Sequence, residues 1–193
     1  MQINSAIDAS EYADVAALYW QGFGGKLDLV LGPEHKARAY ISAALNPDHL
    51  ICARDQKGQI TGIAGFQTGH GSLLKGNFGH LVAIYGGFGA AWRALTFMLL
   101  NSPFSGGSFV IDGIVVAQEH RGKGVGTALI EALAREANRK GYDRMQLEVI
   151  DDNIRARMLY ERRGFMKVGG MSLGILRHVF GFRRTITMQR QLR

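Results

Sequence analysis

The sequence contains very little cysteine, which restricts both the chemistry that the protein can perform and the compartment that it suits. Cys52 is the single cysteine among 193 residues, so no intrachain disulfide can form, and we expect a reducing, cytoplasmic location. It lies in the apolar run 50–53, a context typical of a buried structural thiol rather than a nucleophile. With one thiol and six histidines that lack paired spacing, the sequence predicts no metal site.

Long uncharged apolar runs are also missing. The most apolar stretch, residues 81–100, contains Arg93 and three glycines, whereas a membrane-spanning helix needs about 20 apolar residues with few charges. We therefore expect no membrane span. A packed helix is predicted instead, and its apolar face could contact an apolar acceptor or a second copy in a homodimer. Residues 1–8 lack the basic start and apolar core of a secretion signal.

Positive charge is concentrated in the second half of the chain. Residues 1–96 carry 7 basic and 7 acidic residues, whereas residues 97–193 carry 16 and 9 and account for the whole net charge of +7. Such a field favours a polyanionic cofactor and could also suit nucleic acid. Because the basic C-terminal region offers neither a reading helix nor an aromatic platform, we expect no nucleic-acid partner.

Hydrophobic periodicity and turn residues predict one α/β domain over residues 1–193, with a mixed sheet. The predicted order is β-α-α-β-β-α-β-α-β-α-β-β. The first helix is predicted over 6–23 and is expected to end at Gly24-Gly25. A later helix is predicted over 80–100, followed by a loop over 101–107.

The clearest chemical signal is a glycine-rich loop between a strand and a helix. Residues 109–116 form an apolar, β-branched run typical of a strand buried on both faces, and a helical pattern begins near Thr127. Free N–H groups at the start of a helix, approached through glycines, suit a phosphate. Basic residues add charge at the same point. The loop consists of Arg121, Gly122, Lys123, Gly124, Val125 and Gly126.

Two familiar phosphate loops fail on spacing. No Gly-Lys pair is followed by Ser or Thr, which excludes a P-loop, and a dinucleotide fingerprint would need glycine at Thr127 or Leu129. The observed Arg-Gly-x-Gly-x-Gly, placed after a strand that ends in Val-Val, resembles the coenzyme A loop of the GNAT (Gcn5-related N-acetyltransferase) superfamily. The family pattern is Gln/Arg-x-x-Gly-x-Gly/Ala.

A second segment, residues 153–165, resembles the family's Asn-x-x-Ala-x-x-x-Tyr-x-x-x-Gly-Phe motif. Asn153, Ala156 and Tyr160 are spaced three and four apart, so they would line one helix face. The resemblance implies that Asn153 contacts the pantetheine arm of the cofactor and that Tyr160 protonates the leaving thiolate. A phenol with a pKa near about 10 suits that role at neutral pH, although Tyr160 could also simply pack under the sheet.

The resemblance further implies a GNAT fold, that is, a single domain with a mixed, centrally splayed β-sheet flanked by helices. Residues 68–105 would then be a subgroup insertion that contains a helix. The implied reaction is direct transfer of an acetyl group from acetyl-CoA to a primary amine of a small-molecule or peptide acceptor. The implied cofactor-binding residues are Ile114, Val115, Val116, Arg121, Gly122, Lys123, Gly124, Val125, Gly126, Thr127, Asn153, Ala156 and Tyr160.

An amine must lose a proton before or during acyl transfer, so a base or a water chain is needed. Asp112 stands where many family members have a strand carboxylate, and Glu148 on the partner strand is the second candidate. A carboxylate on a buried strand is costly unless it is paired or functional. A structural role therefore stays open for both.

Two other functions have some support in the sequence. The motif around Ser172 resembles a hydrolase nucleophile elbow, but no acidic residue follows it to complete a triad. A catalytically weak GNAT-fold module that binds coenzyme A or another partner remains the alternative. The acceptor cannot be read from the sequence.

Overall fold

The protein is built on one seven-stranded mixed sheet. The computed structural model describes residues 1–100, 107–172 and 183–192. The strands are β1 (Gln2–Asn4), β2 (Leu50–Arg54), β3 (Ile60–Gln67), β4 (Phe109–Val116), β5 (Arg144–Ile150), β6 (Met166–Ser172) and β7 (Arg184–Gln191). Their spatial order is β1-β2-β3-β4-β5-β7-β6. Neighbours run antiparallel except β4 and β5, which are parallel, so the predicted mixed sheet is confirmed.

Five α-helices flank the sheet within the described residues. They are α1 (Tyr12–Leu31), α2 (Glu34–Ala44), α3 (Phe78–Leu100), α4 (Val125–Arg139) and α5 (Ile154–Arg162). The order of strands and helices is the predicted one. Helix α4 ends just before Gly141, whose φ of 82° stops the chain from continuing as a helix.

Helix α1 is longer than the sequence predicts. It begins at Tyr12 and runs through Gly24-Gly25 to its last turn, so the prediction of a helix over 6–23 is wrong at both ends. Packing explains the extension, because Val30 and Leu31 in the last turn are buried. A Cβ on Gly24 would lie 2.7 Å from the Trp20 ring, so glycine serves a close contact here. Tertiary contacts therefore outweigh the low helix propensity of the glycine pair.

Hydrophobic side chains form a core on each face of the sheet. On one face, α4 contributes Leu129 and Leu133 to a large core that includes Phe109. On the other face, α1 contributes Val15 to a second core that includes Val115. A third cluster joins α2, α3 and the end of α1. Strand β4 thus lies between the two main cores, in the middle of the molecule.

The connection between β3 and β4 contains the predicted helix, which is interrupted at Gly86 by a φ of 72°. Residues 101–106 of the predicted loop over 101–107 lie outside the described residues. None of the helices in the described ranges is long and apolar enough to cross a bilayer.

Candidate active site

Strand β4 contains an irregularity that decides which way its side chains point. Its pairing with β3 shifts by one residue at Asp112, which therefore forms a β-bulge. Because a bulge inserts one residue, it reverses the alternation of side chains along the strand. Ile111 belongs to the core under α4, whereas Val115 belongs to the core under α1. Gly113 also faces α1, since a Cβ there would lie 2.4 Å from the Phe23 ring.

Asp112 is open to solvent rather than enclosed in a core. The prediction of a strand buried on both faces is wrong at this residue, which is exposed to solvent. Protein atoms nevertheless surround its carboxylate. Burial raises the pKa of Asp112 to about 6, and a hydrogen bond from the Leu73 backbone N–H to Oδ2, 3.1 Å long, opposes that rise. Asp112 is thus exposed to solvent as a residue, while protein atoms pack around its carboxylate.

Tyr19 of α1 lies close enough to Asp112 for the negative charge of the carboxylate to influence the ionisation of the phenol. Burial raises the pKa of Tyr19, and the negative charge of Asp112 adds to that rise. The Tyr19 ring lies 4.8 Å, centroid to centroid, from that of Phe23. Sequence reasoning did not single out Tyr19 or the Leu73 N–H, because helix periodicity marks a face of α1 without saying what it covers.

Glu148 occupies the matching position on β5. The parallel pairing of β4 with β5 ends at Ile111 and Leu147, so Asp112 and Glu148 each follow the last paired residue. Leu147 belongs to the core under α4, so its neighbour Glu148 points to the α1 side, as Asp112 does. Strand β5 continues instead against β7, where Glu148 is opposite Thr187. An opening therefore begins where the two carboxylates stand.

The glycine-rich loop enters α4 through two residues in the left-handed region. The φ angles of Gly122 and Gly124 are 77° and 82°, which side chains other than glycine rarely adopt. Gly124 is the N-cap residue, and within the described residues no side chain caps this end. The first N–H groups of α4 consequently have no acceptor inside the helix, and they lie at the positive end of its dipole. Such an end favours an anion.

The two basic residues of the loop are placed differently. Arg121 bends back, and its Nε donates to the Val116 carbonyl at 3.1 Å. Lys123 is exposed beside the uncapped helix end. Residues 114–116 pair with β3 along one edge, while β5 no longer pairs with their other edge. A ligand that pairs with this edge would meet Arg121 at Val116.

Gly126 joins the loop to α5. A Cβ at this position would lie 3.3 Å from Leu159 Cδ2 and 3.8 Å from Val116 Cγ2. Its φ is not in the left-handed region, so glycine serves close packing here rather than a turn. The α4 backbone therefore touches both β4 and α5, and the two sequence motifs meet at this point.

Helix α5 begins at the predicted cap. The Oδ1 of Asn153 accepts a hydrogen bond from the Ala156 N–H at 3.2 Å, which satisfies one free N–H of the first turn. Ala156 packs against the core under α4 together with Val116. This capping bond fixes the orientation of the Asn153 side chain at the start of α5.

Tyr160 packs against the same core as Ile114 and Val116. Its ring meets Phe165 edge-on, with centroids 5.7 Å apart. Burial raises the pKa of Tyr160 to about 12, so the hydroxyl stays protonated at neutral pH. The structure thus places Tyr160 on the α4 side of the sheet and Asp112 on the α1 side, with the opening between β4 and β5 beginning beside Asp112.

Other candidate chemistry is less well supported. Cys52 is fully buried, as predicted, and burial raises the pKa of its thiol to about 11. Among residues 1–100, 107–172 and 183–192, no group of three or more His, Cys, Asp or Glu side chains could hold a metal ion.

Known proteins with similar sequences are acetyltransferases. Residues 12–165 match the model of the acetyltransferase (GNAT) family. The uncharacterized N-acetyltransferase YobR of Bacillus subtilis is 46% identical over 65 residues, which are 31% of this chain but only 26% of that protein. The matched segment therefore spans about a quarter of that relative.

Solved structures show the same fold. One acetyltransferase crystal structure matches all of both chains with a TM-score of 0.66 and 18% identity. An acetyltransferase of Bacillus anthracis, solved with acetyl coenzyme A, matches 75% of this chain and 62% of its own with a TM-score of 0.50 and 17% identity. Since the family model spans most of the chain and both glycine-loop and α5 motifs, the protein belongs to the acetyltransferase (GNAT) family.

Proposed function

We propose that the protein transfers an acetyl group from acetyl-CoA directly to a primary amine of an acceptor molecule. The observation that carries this proposal is the opening between β4 and β5. Asp112 and Glu148 stand at its start on one face of the sheet, and Tyr160 lies on the other face, against the core that Ile114 and Val116 also contact. The residues that we propose as proton acceptor and proton donor thus lie on opposite faces of the sheet.

The residues around the gap fit coenzyme A. The free N–H groups of α4, with Arg121 and Lys123, suit its pyrophosphate. The unpaired edge of β4 suits the amide groups of its pantetheine arm, which would add like a strand. The proposed binding residues are Ile114, Val115, Val116, Arg121, Gly122, Lys123, Gly124, Val125, Gly126, Thr127, Asn153, Ala156 and Tyr160. Bound acetyl-CoA would supply the activated acetyl group.

In the proposed reaction, the amine nitrogen forms a bond with the acetyl carbon and the carbon–sulfur bond breaks. Asp112 takes the proton from the amine, because its pKa of about 6 leaves it ionised at neutral pH. Glu148 or a water chain is the alternative acceptor. Tyr160 gives its proton to the departing thiolate. A backbone N–H of residues 114–116 meets the negative charge that develops on the acetyl oxygen.

Direct transfer needs no nucleophile on the protein. The buried Cys52, with its raised pKa, is unsuited to attack a thioester at neutral pH. A reduced thiol also fits the cytoplasmic location that we propose. Mass spectrometry after incubation with acetyl-CoA alone should find no acetylated enzyme intermediate, and a trapped acetyl group on Cys52 or a serine would contradict direct transfer.

A thiol-release assay across a panel of amines tests the function itself. We expect amine-dependent release of coenzyme A with at least one acceptor, and its loss in the double variant Asp112→Asn, Glu148→Gln. Coenzyme A binding is measured in parallel by calorimetry. Saturable binding without turnover on any amine would contradict the proposed catalysis and favour a coenzyme A-binding module.

A further inference from the structure

The carboxylate of Asp112 is held by a loop that has no helix or strand of its own. The connection after β3 carries Leu73, whose N–H donates to Asp112 Oδ2 at 3.1 Å. The Leu73 side chain is buried, and a Cβ on Gly65 would lie 2.5 Å from it, so the loop rests directly on β3. Something else must fix the loop, because a short irregular segment keeps its conformation only through contacts with its surroundings.

The segment between α2 and β2 makes those contacts. The Asn46 backbone N–H donates to the Leu73 carbonyl at 2.8 Å, and the Lys75 N–H donates to the Ala44 carbonyl at 2.7 Å. The Asn46 side-chain Nδ2 donates to the Ser72 carbonyl at 3.0 Å. Hydrogen bonds to Asn46 and Ala44 thus engage the loop at Ser72, at Leu73 and at Lys75, on both sides of the N–H that meets Asp112.

A buried histidine fixes the orientation of the Asn46 amide. Asn46 Nδ2 lies 2.7 Å from His49 Nδ1, and His49 Nε2 lies 3.1 Å from Thr68 Oγ1. Since Nδ2 also serves the Ser72 carbonyl, it must be the donor, so His49 Nδ1 accepts and Nε2 carries the proton. Asn46, His49 and Thr68 are 5%, 4% and 3% exposed. Buried polar groups of this kind are costly unless all are satisfied, and here each has a partner.

The surroundings of His49 keep the ring neutral. Burial lowers the pKa of His49, and the positive charges of Lys140, Lys75 and His70 lower it further, while Asp48 opposes them. A neutral ring is required for the observed bond, because a protonated Nδ1 could not accept from Asn46. The network is therefore intact over the neutral pH range.

We infer that Asn46 and His49 are positioning residues that hold the Leu73 N–H against the Asp112 carboxylate and so set the basicity of the proposed proton acceptor. This inference rests on the proposed role of Asp112. A backbone N–H that donates to a carboxylate stabilises its charged form. The Leu73 bond accordingly lowers the pKa of Asp112 against the effect of burial. Without it, the carboxylate would be protonated over more of the working pH range.

The test follows the titration of the Asp112 carboxyl carbon by NMR in the free protein, with no substrate needed. In the wild type, the Leu73 amide signal should move with the same midpoint as the Asp112 carboxyl. In Asn46→Ala, Asp112 should titrate at higher pH. Thr61→Val is the matched control, because it removes a buried hydroxyl that bonds Ala53 instead of the loop, and it should leave the midpoint unchanged.

Activity gives a second signature. In Asn46→Ala, kcat/KM should fall about three- to tenfold below the Asp112 midpoint, the size expected for the net loss of one hydrogen bond. It should return to the wild-type value well above that midpoint. General damage to the fold would lower the rate at every pH. His49→Phe should act like Asn46→Ala, while His49→Gln, which retains an acceptor and a donor, should restore part of the wild-type profile.

The outcomes separate the inference from the proposed function. Folded Asn46→Ala and His49→Phe proteins with an unchanged Asp112 midpoint would overturn the inference. A shifted midpoint together with full activity of Asp112→Asn would uphold the positioning but refute Asp112 as the base. If both variants fail to fold, the wild-type Leu73 signal decides: an amide that does not follow the Asp112 titration contradicts the inference.

Discussion

Burial suits two acids to the opposite tasks that we propose for them. It disfavours the charged form of both Asp112 and Tyr160, and so it raises the pKa of each, to about 6 and about 12. At neutral pH the carboxylate is still ionised and can take a proton, whereas the phenol is still protonated and can give one. A single physical cause therefore suits one residue to act as a base and the other to act as an acid.

The first residue-scale prediction concerns the pH dependence of kcat/KM. Because Asp112 is protonated below its pKa, kcat/KM should rise with pH through about 6 and then level off. Asp112→Asn should lower kcat/KM by about 10²- to 10⁴-fold and remove this rise. Amines of different basicity serve as the control. If the pH midpoint of the rise changes with the pKa of the amine, the rise reports the titration of the acceptor and not that of Asp112. The same rise in Asp112→Asn would assign the base elsewhere, with Glu148 next to be tested.

The second residue-scale prediction concerns the acid. Tyr160→Phe keeps the ring that packs against Phe165 but removes the proton to be donated. We expect kcat to fall by about 10²-fold or more, while the affinity for coenzyme A stays nearly unchanged. Steady-state kinetics and calorimetry measure the two quantities. An unchanged kcat would remove Tyr160 from the acid role.

At the scale of elements, the sequence predicts those helix and strand boundaries that depend on neighbouring residues. The bounds of β4 and the starts of α4 and α5 follow from β-branched residues, glycines and the Asn153 cap, which act over a few positions. The end of α1 does not, because Gly24-Gly25 is stabilised inside the helix by packing that is distant in sequence. The β-bulge at Asp112 could not be predicted from the sequence either, because no residue type in β4 indicates where the extra residue is inserted. The Leu73 N–H is a backbone group brought in by tertiary contacts, so no side-chain motif could reveal it.

The extension of α1 gives an element-scale prediction with its own control. Gly25 lies in the helix interior, and a Cβ there would meet nothing within 4 Å. Gly25→Ala should therefore raise the free energy of unfolding by about 0.5–1 kcal/mol. Gly24→Ala should lower it, because its Cβ would collide with the Trp20 ring. Urea unfolding of both variants measures the difference, and destabilisation by Gly25→Ala would mean that the helix ends earlier.

At the scale of the whole molecule, the two faces of the sheet carry different candidate site residues. The α4 face presents the uncapped helix end and Tyr160, and the α1 face presents Asp112 and Glu148. Helix α3 lies at the periphery, where its partly and fully buried side chains pack against α1 and α2. Its outward side chains are large and apolar, and Phe88 is 99% exposed. This outward face is the surface on which the sequence predicts an apolar acceptor or a homodimer contact.

The exposure of Phe88 can be tested through stability. If the monomer is the folded unit, Phe88→Ser should change the free energy of unfolding by less than about 0.5 kcal/mol. Leu81→Ala on the buried side of the same helix should lower it by about 2–5 kcal/mol. A large loss for Phe88→Ser that grows with protein concentration would show instead that a second copy covers this face.

The most direct test of the central claim is a crystal structure of the protein with coenzyme A. The pyrophosphate should lie within hydrogen-bond distance of backbone N–H groups between Gly122 and Thr127. The pantetheine arm should run along residues 114–116, with its sulfur beside the Tyr160 hydroxyl, in the gap between β4 and β5. A coenzyme A molecule bound away from that gap, or one whose sulfur points away from Tyr160 and Asp112, would contradict the account.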